Sequence, residues 1–111
     1  AVVLGYLLCS GGLGVAATSS SIQIELYNNT GLTLYLEQDG TVINRAGNYP
    51  QCADAKCIYP GKSGSNYTVV YRQPSSLNTL SVLGTLNESS TVTCSKKDGN
   101  SSPCTVSAQT N

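Results

Sequence analysis

Residues 22–27, Ile-Gln-Ile-Glu-Leu-Tyr, alternate apolar and polar positions without a break. A period of two marks a half-buried strand. Ile22, Ile24 and Leu26 share the face turned to a core, and Gln23, Glu25 and Tyr27 share the face turned to water. Asn28-Asn29-Thr30-Gly31 then reads as a turn, because Asn and Gly tolerate the backbone angles turns need. The alternation resumes over residues 32–38, with Leu32, Leu34 and Leu36 inward and Thr33, Tyr35 and Glu37 outward. Asp39-Gly40 is a hairpin signal, so residues 41–45 are expected to return as a third strand. Residues 46–66 hold Gly47, Pro50, Pro60, Gly61 and Gly64 and read as an irregular segment. Tyr67, Val69 and Tyr71 alternate with Thr68, Val70 and Arg72. In residues 77–86, Leu80, Val82, Gly84 and Leu86 oppose Ser81, Leu83 and Thr85. Residues 91–95 and 105–108 flank a polar excursion. About seven short strands separated by turns, with no helical period, predict an all-β antiparallel sandwich.

The front of the chain departs from this pattern. Residues 1–21 carry no charge, and the first charged residue is Glu25. Three readings arise. Residues 2–8 followed by Val15-Ala16-Ala17 have the form of a secretory signal with a small-residue cleavage site. A membrane helix needs roughly 20 continuous apolar residues, and Ser10-Gly11-Gly12 interrupts the run. As a strand, the segment places Val2, Leu4, Tyr6 and Leu8 on one face and Val3, Gly5, Leu7 and Cys9 on the other. Both faces are apolar, the pattern of a strand covered on both sides. Gly11, Gly12 and Gly14 with residues 18–21 supply a flexible connection. The strand reading is carried forward: residues 1–21 form an arm and hinge, and residues 22–111 form the sandwich domain.

Composition narrows the chemistry. The chain has 111 residues, enough for one domain. Six basic and six acidic residues cancel, which removes any strong attraction to nucleic acid or an acidic membrane. Histidine is absent, so there is no Ser–His or Cys–His nucleophile pair and no imidazole metal ligand. The carboxylates are scattered, and Asp98-Gly99-Asn100 is only a fragment of a calcium loop. No catalytic residue, metal or cofactor is expected, and the chain is not read as an enzyme. Five cysteines point to an oxidising compartment. Cys52 with Cys57 and Cys94 with Cys104 make a local pairing, among others the sequence permits. Cys9 is left over, as a buried thiol or an intersubunit link. Asn28, Asn66, Asn87 and Asn100 each begin a glycosylation sequon in or beside a turn.

An apolar arm (Val2, Leu4, Tyr6, Leu8), a glycine hinge and a small Ser/Thr-rich β-domain together resemble the subunits of donor-strand-complemented extracellular filaments. These are the chaperone–usher-type and archaeal thread-type pilins. The resemblance implies an immunoglobulin-like sandwich with an extended N-terminal donor strand, whose open groove takes the arm of the next copy. It also implies a head-to-tail homopolymer at the cell surface, carrying covalent glycans, with no membrane span in the mature protein. Burying four large apolar side chains in such a groove contributes on the order of 6–12 kcal/mol before entropy is subtracted. The alternative is a secreted monomeric carbohydrate-binding or adhesive module, with Tyr49 and Tyr59 in residues 48–66 available to stack on sugars.

Overall fold

The computed structural model describes residues 20–96 and 103–109. Val2, Leu4, Tyr6, Leu8, Cys9 and Asn100 lie outside them, as does most of the hinge. The described residues form strands and no helix: β1 (Ser21–Asn29), β2 (Leu34–Gln38), β3 (Thr41–Val42), β4 (Gln51–Cys52), β5 (Lys56–Lys62), β6 (Ser65–Gln73), β7 (Ser76–Leu86), β8 (Ser90–Ser95) and β9 (Cys104–Ala108). One sheet runs β5-β1-β8-β9; the other runs β3-β2-β6-β7, with β4 also paired to β2. Neighbours are antiparallel except β1 and β8, which run parallel. The sheets bury their inner rows in one core. Ile24, Leu26, Tyr59 and Val92 come from the first sheet, and Leu34, Leu36, Tyr67 and Val69 from the second. The architecture is an all-β, two-layer, sandwich-like fold.

The alternation in residues 22–27 holds along β1, whose Ile22, Ile24 and Leu26 are buried. At Asp39-Gly40 both residues have positive φ, 51° and 86°, the geometry of the two-residue hairpin that matches strand twist. Asp39 N–H donates to the Asn66 carbonyl at 2.8 Å, and Asn66 N–H donates to Asp39 Oδ1 at 2.9 Å. The Asn66 N–H, and secondarily the Ser65 hydroxyl, hold the Asp39 carboxyl below its usual range.

Several expectations are corrected. Residues 46–66 are not irregular: they contain β4, β5 and the start of β6. β5 pairs with β1 from Ser21↔Lys62 to Tyr27↔Lys56. Pro60 disguised it, yet β5 is the outer strand of its sheet, where a missing N–H is tolerated. Gly61 was the second false breaker. A Cβ there would lie 2.9 Å from Ile22 Cγ1, Ile24 Cδ1 and the Tyr67 hydroxyl, so the glycine is demanded by close packing. The third strand shortens from residues 41–45 to Thr41–Val42. Leu32 falls in the bend before β2 and is exposed rather than inward. β7 carries two irregularities against β6: Gly84 pairs Tyr67 while Val82 pairs Thr68, and Ser81 pairs Val69 while Thr79 pairs Val70. Leu83 and Leu80 are the extra residues. Each bulge shifts the two-residue phase, so Leu80 and Leu83 pack on the core and Val82 is left 72% exposed.

Tyr67 ties the corner where the chain passes from β5 in one sheet to β6 in the other. Lys62 N–H donates to its hydroxyl at 2.7 Å, and the hydroxyl donates to Gln38 Oε1 at 2.8 Å. A buried tyrosine whose hydroxyl reaches upstream backbone is a recurrent corner device of sandwiches. Burial raises the Tyr67 phenol above its ordinary pKa.

Candidate functional site

The two long seams between the sheets differ. On one seam, Cys52 of β4 is bonded to Cys57 of β5, joining the second sheet to the first. The Tyr59 hydroxyl donates to the Pro50 carbonyl at 2.7 Å, Ala46 N–H donates to the Ile58 carbonyl at 3.2 Å, and Arg45 lies 3.5 Å from Asp54. Burial pushes the Tyr59 phenol well above its ordinary value. Tyr59 is fully buried, so it does not offer the sugar-stacking ring expected of it. Tyr49, 62% exposed, remains.

The opposite seam lies between β9 and β7. β9 pairs only with β8 and β7 only with β6, so among the described residues no ladder closes this side. In β9, Val106 pairs with Val92 and Ala108 with Ser90, which places their side chains on the inner face. Val92 is fully buried, whereas Val106 is 40% exposed. An inward valine with water access means that the inner row is incompletely covered here. Leu80 and Leu83, the bulge residues of β7, pack partly buried across the same side. Beside the bend over residues 30–32 lies a cleft of about 280 Å³, with Leu32, Tyr71 and Leu80 as its apolar lining and Thr30, Ser95 and Lys96 among its polar groups.

Backbone geometry adds a second property. Ser95 N–H donates to the Pro103 carbonyl at 2.8 Å, and Gln109 N–H donates to the Ser89 carbonyl at 2.9 Å. In an antiparallel pair the bonded residues alternate, so the odd-numbered residues of β9 bond to β8. Val106 and Ala108 therefore direct their N–H and C=O groups to the outer edge and their side chains to the core. β7, the facing edge, is blunted by its two bulges, a common protection against edge pairing. The Cys94–Cys104 disulfide fastens the first residue of β9 to β8. Val106, Leu80 and Tyr71 were not singled out from the sequence as site residues. The alternation Thr105-Val106-Ser107 marks Val106 as inward, but nothing local signals that its cover is missing.

The three described sequons occupy different surroundings. Asn28 lies near the end of β1, beside the cleft. Its Nδ2 donates to the carbonyls of Leu32 and Cys52, each at 2.7 Å. Its Oδ1 accepts from Thr30 N–H at 3.1 Å and from the Thr30 hydroxyl at 2.6 Å. Asn66 and Asn87 are exposed at the other end, near the Ser63-Gly64 turn. The chain also enters the domain at that end, where Ser63 N–H donates to the Ser20 carbonyl at 3.0 Å. On the outer face of the second sheet, an open concavity of about 590 Å³ includes Tyr35, Gln51 and Arg72 in its lining, with the Arg72 guanidinium 5.7 Å from the Tyr35 ring centre. Tyr35 is only 8% exposed beneath it. Among the described residues no three or more carboxylates or thiols gather to hold a metal, and no helix is long and apolar enough to cross a membrane.

A scan of family models finds no match to the chain, and neither do comparisons with curated proteins and with solved structures.

Proposed function

We propose that the protein is the structural subunit of an extracellular filament, assembled when the apolar arm of one copy adds as a strand along β9 of the next. The single observation that carries this reading is Val106: an inward side chain, 40% exposed, on a strand whose outer edge pairs with nothing among the described residues. An added strand would bond to the outward backbone groups of Val106 and Ala108 and turn alternate side chains onto Val106, Leu80 and Leu83. Val2, Leu4, Tyr6 and Leu8 have the period for that task, and the arm's second apolar face suits a strand covered on both sides. The completed body would be an immunoglobulin-like sandwich. Polarity supports a chain of subunits: the arm joins the domain at the Ser20 end, whereas the apolar cleft opens at the Asn28 end. A contact that joins opposite ends of identical copies propagates into a filament when its rotation does not close a ring. Two disulfides suit an extracellular setting. The reading as a carbohydrate-binding module ranks lower, since Tyr59 is buried and Tyr49 stands alone.

The test is polymer formation by the full chain, followed by electron microscopy and size-exclusion chromatography, against a chain lacking residues 1–17. Filaments from the full chain and folded monomers from the shortened one are expected. Filaments from the shortened chain overturn the reading.

A further inference from the structure

We infer that the three described sequons divide by geometry: Asn28 is a structural clamp closed to N-glycosylation once the domain has folded, and Asn66 and Asn87 are the acceptors on the folded surface. N-glycosylation joins the asparagine Nδ2 to C1 of a sugar delivered on a polyprenyl diphosphate. The Nδ2–C1 bond forms, the C1–O bond to the diphosphate breaks with its electron pair leaving on oxygen, and one Nδ2 hydrogen departs as a proton. The product amide retains a single N–H. Asn28 spends both of its Nδ2 hydrogens, on Leu32 O and Cys52 O at 2.7 Å each. Both partners are carbonyls, and the Thr30 N–H binds Oδ1, so rotating the amide by half a turn would set acceptor against acceptor and donor against donor. The sequon's own hydroxyl is engaged too. Thr30 is 5% exposed, and its Oγ1 donates to Asn28 Oδ1 while accepting from Leu32 N–H at 3.0 Å. A glycan on Asn28 therefore requires at least one of the two carbonyl bonds to break and the bend over residues 30–32 to open.

Asn66 and Asn87 make no such demand on the amide nitrogen, although Ser89, the hydroxyl of the Asn87 sequon, accepts from Gln23 N–H at 2.9 Å. Asn66 is exposed, and the Thr85 hydroxyl binds its Oδ1 at 2.7 Å, the atom that glycosylation leaves intact. Asn87 is exposed and engages Ser63 through its main-chain carbonyl at 2.8 Å. Both sit at the end of the domain away from Asn28. Folding closes Asn28 to modification and modification weakens the fold, so its occupancy reports which came first. This holds whether or not the chain polymerises.

The experiment presents the full, disulfide-intact chain and the reduced, alkylated, unfolded chain to an oligosaccharyltransferase with a lipid-linked oligosaccharide, and reads site occupancy by peptide mass spectrometry. In the folded chain, Asn66 and Asn87 are expected to be modified and Asn28 at least tenfold less so; in the unfolded chain all three accept. Chain carrying Asn66→Gln, Asn87→Gln and Asn100→Gln, modified at Asn28 while reduced but unalkylated and then refolded oxidatively, is expected to melt below the same variant unmodified. The inference is overturned if Asn28 accepts in the folded chain as readily as Asn66. It is equally overturned if Asn66 and Asn87 fail to accept in the folded chain, or if chain modified at Asn28 refolds with an unchanged melting temperature.

Discussion

Asn28 and Gly61 are the residues on which local geometry depends most. Asn28 satisfies the Leu32 and Cys52 carbonyls and the Thr30 N–H at once. Asn28→Ala strips both carbonyls of their donor, and a loss of about 2–3 kcal/mol is expected in urea denaturation. Asn66→Ala, on the exposed surface, is expected to change stability by less than about 0.5 kcal/mol. At Gly61 the added methyl of Gly61→Ala would meet two isoleucine side chains and a tyrosine hydroxyl. Overpacking of this kind costs about 1–3 kcal/mol, read as a lower midpoint of thermal unfolding. Asp39 supplies a pH dependence. Its folded pKa is lowered by the Asn66 N–H, so its contribution is present above the unfolded value near 3.8 and is lost as pH falls through the folded one. A smaller hydrogen-exchange protection factor at the Asn66 amide in acid, measured against the intrinsic rate at each pH and made independent of pH by Asp39→Asn, is the expected observation. None of these roles is visible in the sequence, where Asn28 reads as a sequon, Gly61 as a breaker and Asp39 as half of a turn signal.

Among the elements, the strands with clean alternation were legible and the outer strand β5 was not. β1, β2 and β6 each turn one row into the core (Ile22, Ile24 and Leu26; Leu34 and Leu36; Tyr67 and Val69), and that row imposes the period of two even though Tyr35 and Val70 on the outer faces are covered as well. β5 was hidden because an outer strand accepts proline, and because Gly61 met a packing need that resembles turn chemistry. β7 kept its length but lost its expected faces, since each bulge inserts one residue and moves every later side chain across the sheet. β9 was legible as a strand and illegible as a site. Its side-chain pattern matches that of a covered strand, and exposure of Val106 depends on what lies opposite. Val106→Lys is expected to cost the monomer only about 1 kcal/mol of unfolding free energy, because the inward side chain is already 40% exposed and the long lysine can reach water. The same change places a charge where an incoming apolar strand would pack, and it is expected to abolish polymers by size-exclusion chromatography.

At the scale of the whole molecule, the described residues form a pair of sheets stapled on one seam by Cys52–Cys57 and, among those residues, unladdered on the other. This asymmetry gives the shortened chain a measurable response. A synthetic peptide of residues 1–17, added to the domain lacking them, is expected to raise the melting temperature in a concentration-dependent manner, because a ligand that binds only the folded state stabilises it by mass action. A peptide carrying Leu4→Asp and Leu8→Asp is expected to leave it unchanged. The sequence by itself determined the strand-forming class, the inward rows of β1, β2 and β6, the Asp39-Gly40 hairpin and the arm's two-sided apolarity. All of these follow from contacts within a few residues and from a period that burial imposes on one strand at a time. Only the tertiary structure decided that β5 joins β1, that Tyr59 is core, that Asn28 is a clamp and that Val106 lacks full cover. Each of those depends on which distant segment lies alongside, and apolar periodicity is the same whether the facing place is filled or empty.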